Sequence, residues 1–176
     1  MSSLYPSPTR PIIYGSGFLQ ECRMKPSAPR EPHPGKSCGA IVFRGKKVLL
    51  LRSTYSHNWG SPQGRMERGE NEEQTARREV FEETGLKNIR FLPGFRHVNR
   101  YTMYRAGKAI PREVIFFLAE SKEGEAIISH EHDAIEWVTL EAAYARVKFR
   151  TFKSILRAAA RVIHPEALPR MPDPKK

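Results

Sequence analysis

Cysteine is scarce: Cys22 and Cys38 are the only two in 176 residues. They form no CxxC pair, so the sequence offers neither a disulfide framework nor a cysteine-ligated zinc site. Two free thiols in a reducing compartment fit this usage. Long apolar runs are missing as well. No stretch approaches the roughly 18 apolar residues that a membrane helix needs, so no membrane partner is expected. A secretory signal is also lacking, since MSSLYPSPTRPIIYGSGFLQ is broken by Pro6, Pro8 and Pro11. A cytoplasmic location is expected. A mitochondrial one is the alternative, because no acid precedes Glu21, although the prolines oppose the amphipathic helix of a transit peptide. Internal repeats are absent.

Acids are in short supply overall, with a net charge of +11, and they are unevenly placed. Residues 86–112 carry seven Lys/Arg and no acid, and 146–176 carry nine against Glu166 and Asp173. Between them, 113–145 hold eight acids and only Lys122. Such blocks suit a field shaped for a polyanion, and equally suit plain solubility charge.

The remaining signals organise the chain. Half of its fourteen prolines lie in 1–36, with little apolar periodicity, so this reads as an extended or disordered leader that offers a protein partner a docking segment. In CGAIVFRGKKVLLLRS two β-rich runs flank a bend, which is a hairpin signal. STYSHNWGSPQG is a loop. KNIRFLPGFRHVNRYTMY and REVIFFLAE read as two strands joined by a turn. AIEWVTL is a short strand, and Thr139 caps a following helix. A last helix puts Phe149, Phe152, Ile155, Leu156, Ala159 and Ile163 on one face, which the core should cover, with Phe149 closing a substrate pocket as the alternative. Residues 37–164 thus form one domain and 165–176 a basic tail. Strands and helices alternate without a βαβ rhythm, which favours a mixed sheet with helices on both faces.

One stretch concentrates carboxylates: GRMERGENEEQTARREVFEETGL, residues 64–86. Asn71 followed by Gln74 resembles a capping box, and Gly85 suits the left-handed stop, so a helix spans about 72–83. Glu79, Glu82 and Glu83 stand at i, i+3 and i+4 on one face. Three carboxylates so close raise one another's pKa unless a cation sits among them, and oxygen ligands suit Mg²⁺ or Mn²⁺. Arg78 points to another face and pairs with Glu70, bracing loop to helix. An ordinary solvated Glu/Arg helix has the same spacing, so the helix alone does not decide.

The complete pattern is Gly64, five residues, Glu70, seven residues, Arg78-Glu79-Val80, one residue, Glu82-Glu83, one residue, Gly85-Leu86. It resembles the signature of the Nudix hydrolases at every fixed position, and the order of segments over 37–163 continues the resemblance. The resemblance implies an α/β/α sandwich with a mixed β-sheet. It implies a metal-dependent pyrophosphohydrolase using Mg²⁺ or Mn²⁺. Glu79, Glu82 and Glu83 would be the metal ligands, joined by the carbonyl of Gly64, with Glu131 as a later-loop ligand or base and Asp133 second.

Within that family, CGAIVFR, WGSPQGRMERGE, EVIFFLAE and SHEHDAIEWVTLEAA are similar to the asymmetrical diadenosine tetraphosphate hydrolases, which release ATP and AMP. Gln63 in Pro62-Gln63-Gly64 is similar to the relatives that include RNA 5′-pyrophosphohydrolases. The substrate is thus a nucleotide polyphosphate. The alternatives are an RNA 5′ end held by the 86–112 and C-terminal basic blocks, an inositol pyrophosphate, or binding of RNA or a partner without turnover. Arg52 and Gln63 are candidates to meet the phosphate chain. Tyr101 and Tyr104 are candidates to stack on a base, or else they fill the sheet. His130 and His132 read as polar loop residues.

Overall fold

The computed structural model describes residues 32–122 and 124–174. The leader expected over 1–36 falls mostly outside them. The first strand, β1 (Pro32–Arg44), begins within that span, at Pro32. Pro32 pairs with Glu67, and Lys36 with Glu113.

Among the described residues the chain builds a seven-stranded mixed sheet with helices on both faces. After β1 come β2 (Lys47–Ser53), β3 (Trp59–Gly60) and β4 (Gln63–Glu67). The helix α1 (Glu72–Thr84) follows, then the long hairpin β5 (Ile89–Arg105) and β6 (Lys108–Ser121). Last are β7 (His132–Thr139), α2 (Leu140–Arg146) and α3 (Arg150–Ile163). The central order is β3-β2-β1-β6-β5, with β4 also paired to β1 and β7 to β2. β1 runs parallel to β6 and antiparallel to β2 and β4.

Strand alternation makes the layers. Ala40 and Val42 of β1, with Leu49 of β2, pack with Val80 of α1. Their neighbours Ile41, Phe43, Val48 and Leu50 face the other way, onto Ala143, Tyr144, Ile155, Leu156 and Ala159 of α2 and α3. Each central strand is therefore apolar on both faces, as a sheet covered twice must be. α1 starts at the expected capping box: Asn71 accepts from the Gln74 N–H and Gln74 accepts from the Asn71 N–H, both at 2.9 Å. It stops at Gly85, whose φ of 70° places it in the left-handed region. Thr139 caps α2 as expected, accepting from the Ala142 N–H.

The C-terminal segment is not a free tail. Residues Pro165–Arg170 form a 3₁₀ turn that returns to the core. Ala167 and Met171 are fully buried in the α2/α3 cluster, and the Tyr144 hydroxyl donates to the Pro172 carbonyl. Two buried apolar residues among three prolines leave no periodicity to read. Met171→Ala should therefore cost about 2–5 kcal/mol in denaturant unfolding. An unchanged midpoint would show that the segment adds nothing to the core.

Candidate active site

The acidic stretch folds as strand, loop and helix, and Arg78 ties the three together. Its Nε and Nη2 donate to Glu70 at 2.8 and 3.1 Å, and Nη2 also donates to the Arg65 carbonyl at 2.9 Å. Glu70 further accepts from the Thr75 hydroxyl and the Glu67 N–H. The Arg78 guanidinium holds the Glu70 carboxyl down at about 2, well below its ordinary range. The expected Glu70–Arg78 brace is present. The expected separation of Arg78 from the acidic face is not. Its Nη1 donates to Glu79 at 2.7 Å and to Glu82, one turn on, at 2.9 Å. A long side chain spans both faces of a helix corner that spacing alone assigns to different sides.

The three box carboxylates differ in setting. Glu79 and Glu83 are 8% and 9% exposed, while Glu82 lies at the surface. Glu79 is clamped against β4: a Cβ on Gly64 would lie 2.1 Å from its carboxyl carbon, so only glycine fits there. Glu83 accepts from the Gln63 N–H at 3.3 Å. Burial pushes both carboxyls up, and the charges of Glu82 and Glu131 add to it. For Glu79 the rise survives the opposing pull of Arg78. Glu83, which also feels Glu79, reaches about 8. Two buried, under-compensated carboxylates at the end of one helix fit a hard divalent cation. Glu82 turns out to Arg78, and among the described residues no three such groups converge at ligand distance.

Glu83 forms one wall of a cleft of about 580 Å³. Glu131 faces it from the loop before β7. That loop is pinned twice: the Ile127 N–H donates to the Thr84 carbonyl at 2.8 Å, and the Thr54 N–H and hydroxyl donate to the Glu131 carbonyl at 3.0 Å. Asp133, the second choice, is turned away into an ion pair with Arg52 at 2.6 Å. His132, read from sequence as a polar loop residue, instead lines the cleft with Nε2 3.9 Å from Glu83. Burial lowers its pKa and favours the neutral ring. Its signal, adjacency to Glu131, carries no hint of this contact.

Tyr101 and Phe149 also line the cleft, with Val114, Phe116 and Phe152. Phe149 is 54% exposed, so it is a cleft residue and not the core residue its helical spacing suggested. Gln63 lines the cleft as expected. Arg52 does not. Its guanidinium is held by Asp133 and lies 5.7 Å from the centre of the Trp59 ring. Tyr104 is 75% exposed and also lies outside the lining, because a step of three along a strand reverses the face. Three of the seven basic residues of 86–112 are neutralised in place: Arg90, Arg96 and Arg100 pair with Glu120, Glu72 and Glu113.

Comparison with known proteins agrees with this arrangement. Residues 33–159 match the NUDIX domain. The asymmetrical bis(5′-nucleosyl)-tetraphosphatase of Sus scrofa is 33% identical over 137 residues, covering 69% of this chain and 90% of that protein. An RNA pyrophosphohydrolase of Photobacterium profundum is 41% identical over 59 residues, 32% of this chain and 34% of that one. A solved C. elegans Ap4A hydrolase binary complex superposes with a TM-score of 0.66 at 30% identity, covering 72% of this chain and 96% of that chain. The chain belongs to the Nudix family and is a pyrophosphohydrolase.

Proposed function

We propose that this enzyme hydrolyses a dinucleoside tetraphosphate, diadenosine tetraphosphate above all, to ATP and AMP, with Mg²⁺ or Mn²⁺. The carrying observation is a cleft lined both by the carboxylates of Glu83 and Glu131 and by the aromatic rings of Tyr101, Phe149 and Phe152. A polyphosphate chain suits the first and a nucleobase the second. The relatives named for this reaction support the reading.

Glu79 and Glu83, with Glu82 released from Arg78, would hold the cation, and the Gly64 carbonyl would add an oxygen. The cation, when bound, neutralises phosphate charge, the main requirement of phosphoryl transfer. The residues do the rest. Arg78 fixes Glu79, and the Gln63 N–H fixes Glu83. Glu131 would take the proton of a water that attacks phosphorus as the anhydride P–O bond breaks. Tyr101 and Phe149 stack on the base and so fix which phosphate faces the acids.

A second reading, action on an RNA 5′-triphosphate end, draws on one observation. Lys148 and Arg150 flank Phe149, which lines the cleft, and both are exposed and without an acid partner among the described residues. A trailing strand would meet them there.

Assay of diadenosine tetraphosphate, triphosphorylated RNA and an inositol pyrophosphate with Mg²⁺ should give ATP and AMP from the first at the highest kcat/KM. Pyrophosphate release from RNA as the preferred reaction would reverse the assignment. Glu83→Gln should lower kcat/KM by more than about 100-fold, exceeding the usual cost of disturbing groups around a metal site. Near-normal activity would remove Glu83 from the cation site.

The pH dependence has a definite sign. A carboxyl raised to about 8 still carries its proton at neutrality in the metal-free protein. A cation must displace that proton, so its affinity should climb with pH and level off above about 8. Titration calorimetry with Mn²⁺ should show proton release at pH 7 that Glu83→Gln reduces. Affinity independent of pH from 6 to 9 would contradict this.

A further inference from the structure

His132 lines the cleft beside Glu83, and the reaction above gives it no task. A bulge brings it there. Ala134 opposes Arg52 and His132 opposes Ser53, so Asp133 is an extra residue in β7. Ile135 packs on the cluster that holds Val80 of α1, and plain alternation would aim residue 133 the same way. The bulge gives that direction to His132, on the side of Glu83, and turns Asp133 to Arg52.

The ring is held at one nitrogen and open at the other. Ser129 Oγ lies 3.1 Å from Nδ1, and the His132 N–H donates to the Ser129 carbonyl at 3.2 Å. The side chain is 12% exposed. Nε2 lies 3.9 Å from Glu83 Oε2, too far for a hydrogen bond. It has no hydrogen-bond partner among the described residues, yet it does not belong to the buried polar atoms in that condition, so water reaches it. A carboxylate at Glu83 draws the proton of the neutral ring to Nε2, which leaves Nδ1 to accept from the Ser129 hydroxyl. Nε2–H is therefore an oriented, unused donor beside the acids of the cleft.

We propose that His132 binds the phosphate chain: its Nε2–H donates to a non-bridging oxygen next to the cation site, and Ser129 orients the ring for it. The inference rests on the reading of this cleft as a polyphosphate site, and on no particular nucleoside. A neutral donor suits the place. A Lys or Arg here would pair with Glu83 and compete with the cation, whereas an imidazole N–H meets the phosphate and leaves that acid free. Hydrogen bonds to charged acceptors are the stronger class, so the loss of this one is measurable in affinity.

The test is steady-state kinetics with Mg²⁺ on diadenosine tetraphosphate and on triphosphorylated RNA, for the wild type, His132→Ala, His132→Phe, His132→Gln and Ser129→Ala, with calorimetric melting of each. His132→Ala and His132→Phe should raise KM by about tenfold or more, with kcat little changed. His132→Gln, whose amide can set an N–H near the Nε2 position, should recover most of that affinity, and Ser129→Ala should fall between. A merely structural ring reverses the order: His132→Phe keeps the packing and a normal KM, while His132→Gln is as poor as His132→Ala. The second readout is NMR of the ¹⁵N-labelled imidazole with Mg²⁺ and a methylene-bridged analogue of diadenosine tetraphosphate that cannot be hydrolysed. The Nε2 resonance should shift on binding while the proton stays on Nε2. The reversed order, or an Nε2 resonance that does not move as the analogue binds, overturns the inference and leaves the function intact. Turnover of RNA alone overturns the dinucleotide reading, and the order of KM values on RNA then decides the inference. A wild type inactive on both substrates overturns both.

Discussion

The guanidinium of Arg78 is the contact on which the rest of the site depends. It reaches the loop through Glu70 and the Arg65 carbonyl, and the helix through Glu79 and Glu82. Exposed ion pairs are worth little, but this one is a bidentate fork on a mostly buried carboxylate, reinforced by Thr75. It fixes the angle at which α1 leaves the loop, and therefore where Glu79 and Glu83 sit relative to β4. Gly64 completes the constraint, since no side chain could occupy the space that the Glu79 carboxyl fills.

The same rigidity creates the electrostatic problem that the enzyme uses. Arg78 compensates Glu70 and part of Glu79, and nothing comparable reaches Glu83. Glu131, on a loop pinned at Thr54 and Thr84, adds another negative charge across the cleft. Carboxylates are thus gathered where solvent cannot screen them, inside a chain that is otherwise basic. Along the β5/β6 hairpin Arg90, Arg96 and Arg100 are tied up in ion pairs, while Lys148 and Arg150, on either side of Phe149, have no acid partner among the described residues.

The box was legible in the sequence because its interactions are local. The capping box of Asn71 and Gln74, the stop at Gly85 and the Glu70–Arg78 brace all lie within about four helical turns of sequence. What was not legible depends on partners far apart in the chain. Arg90 and Glu120 are paired by hairpin register, so the basic block looked freer than it is. Tyr104 was grouped with Tyr101, although alternation sends the two to opposite faces. Arg52 looked free to meet phosphate until β7 brought Asp133 to it. Phe149 followed the helical spacing of α3 but sits at its N-cap, in extended backbone, where that spacing no longer holds. Met171 gave no signal, since it lies in a proline-broken segment.

The central claim is that Glu79 and Glu83 form a cation site held ready by Arg78. The most direct measurement is anomalous diffraction from crystals soaked in Mn²⁺. The account expects density for manganese within coordination distance of both carboxylates, with Glu82 swung in from Arg78. Manganese bound elsewhere in the cleft, with the three box carboxylates unmoved, would contradict it.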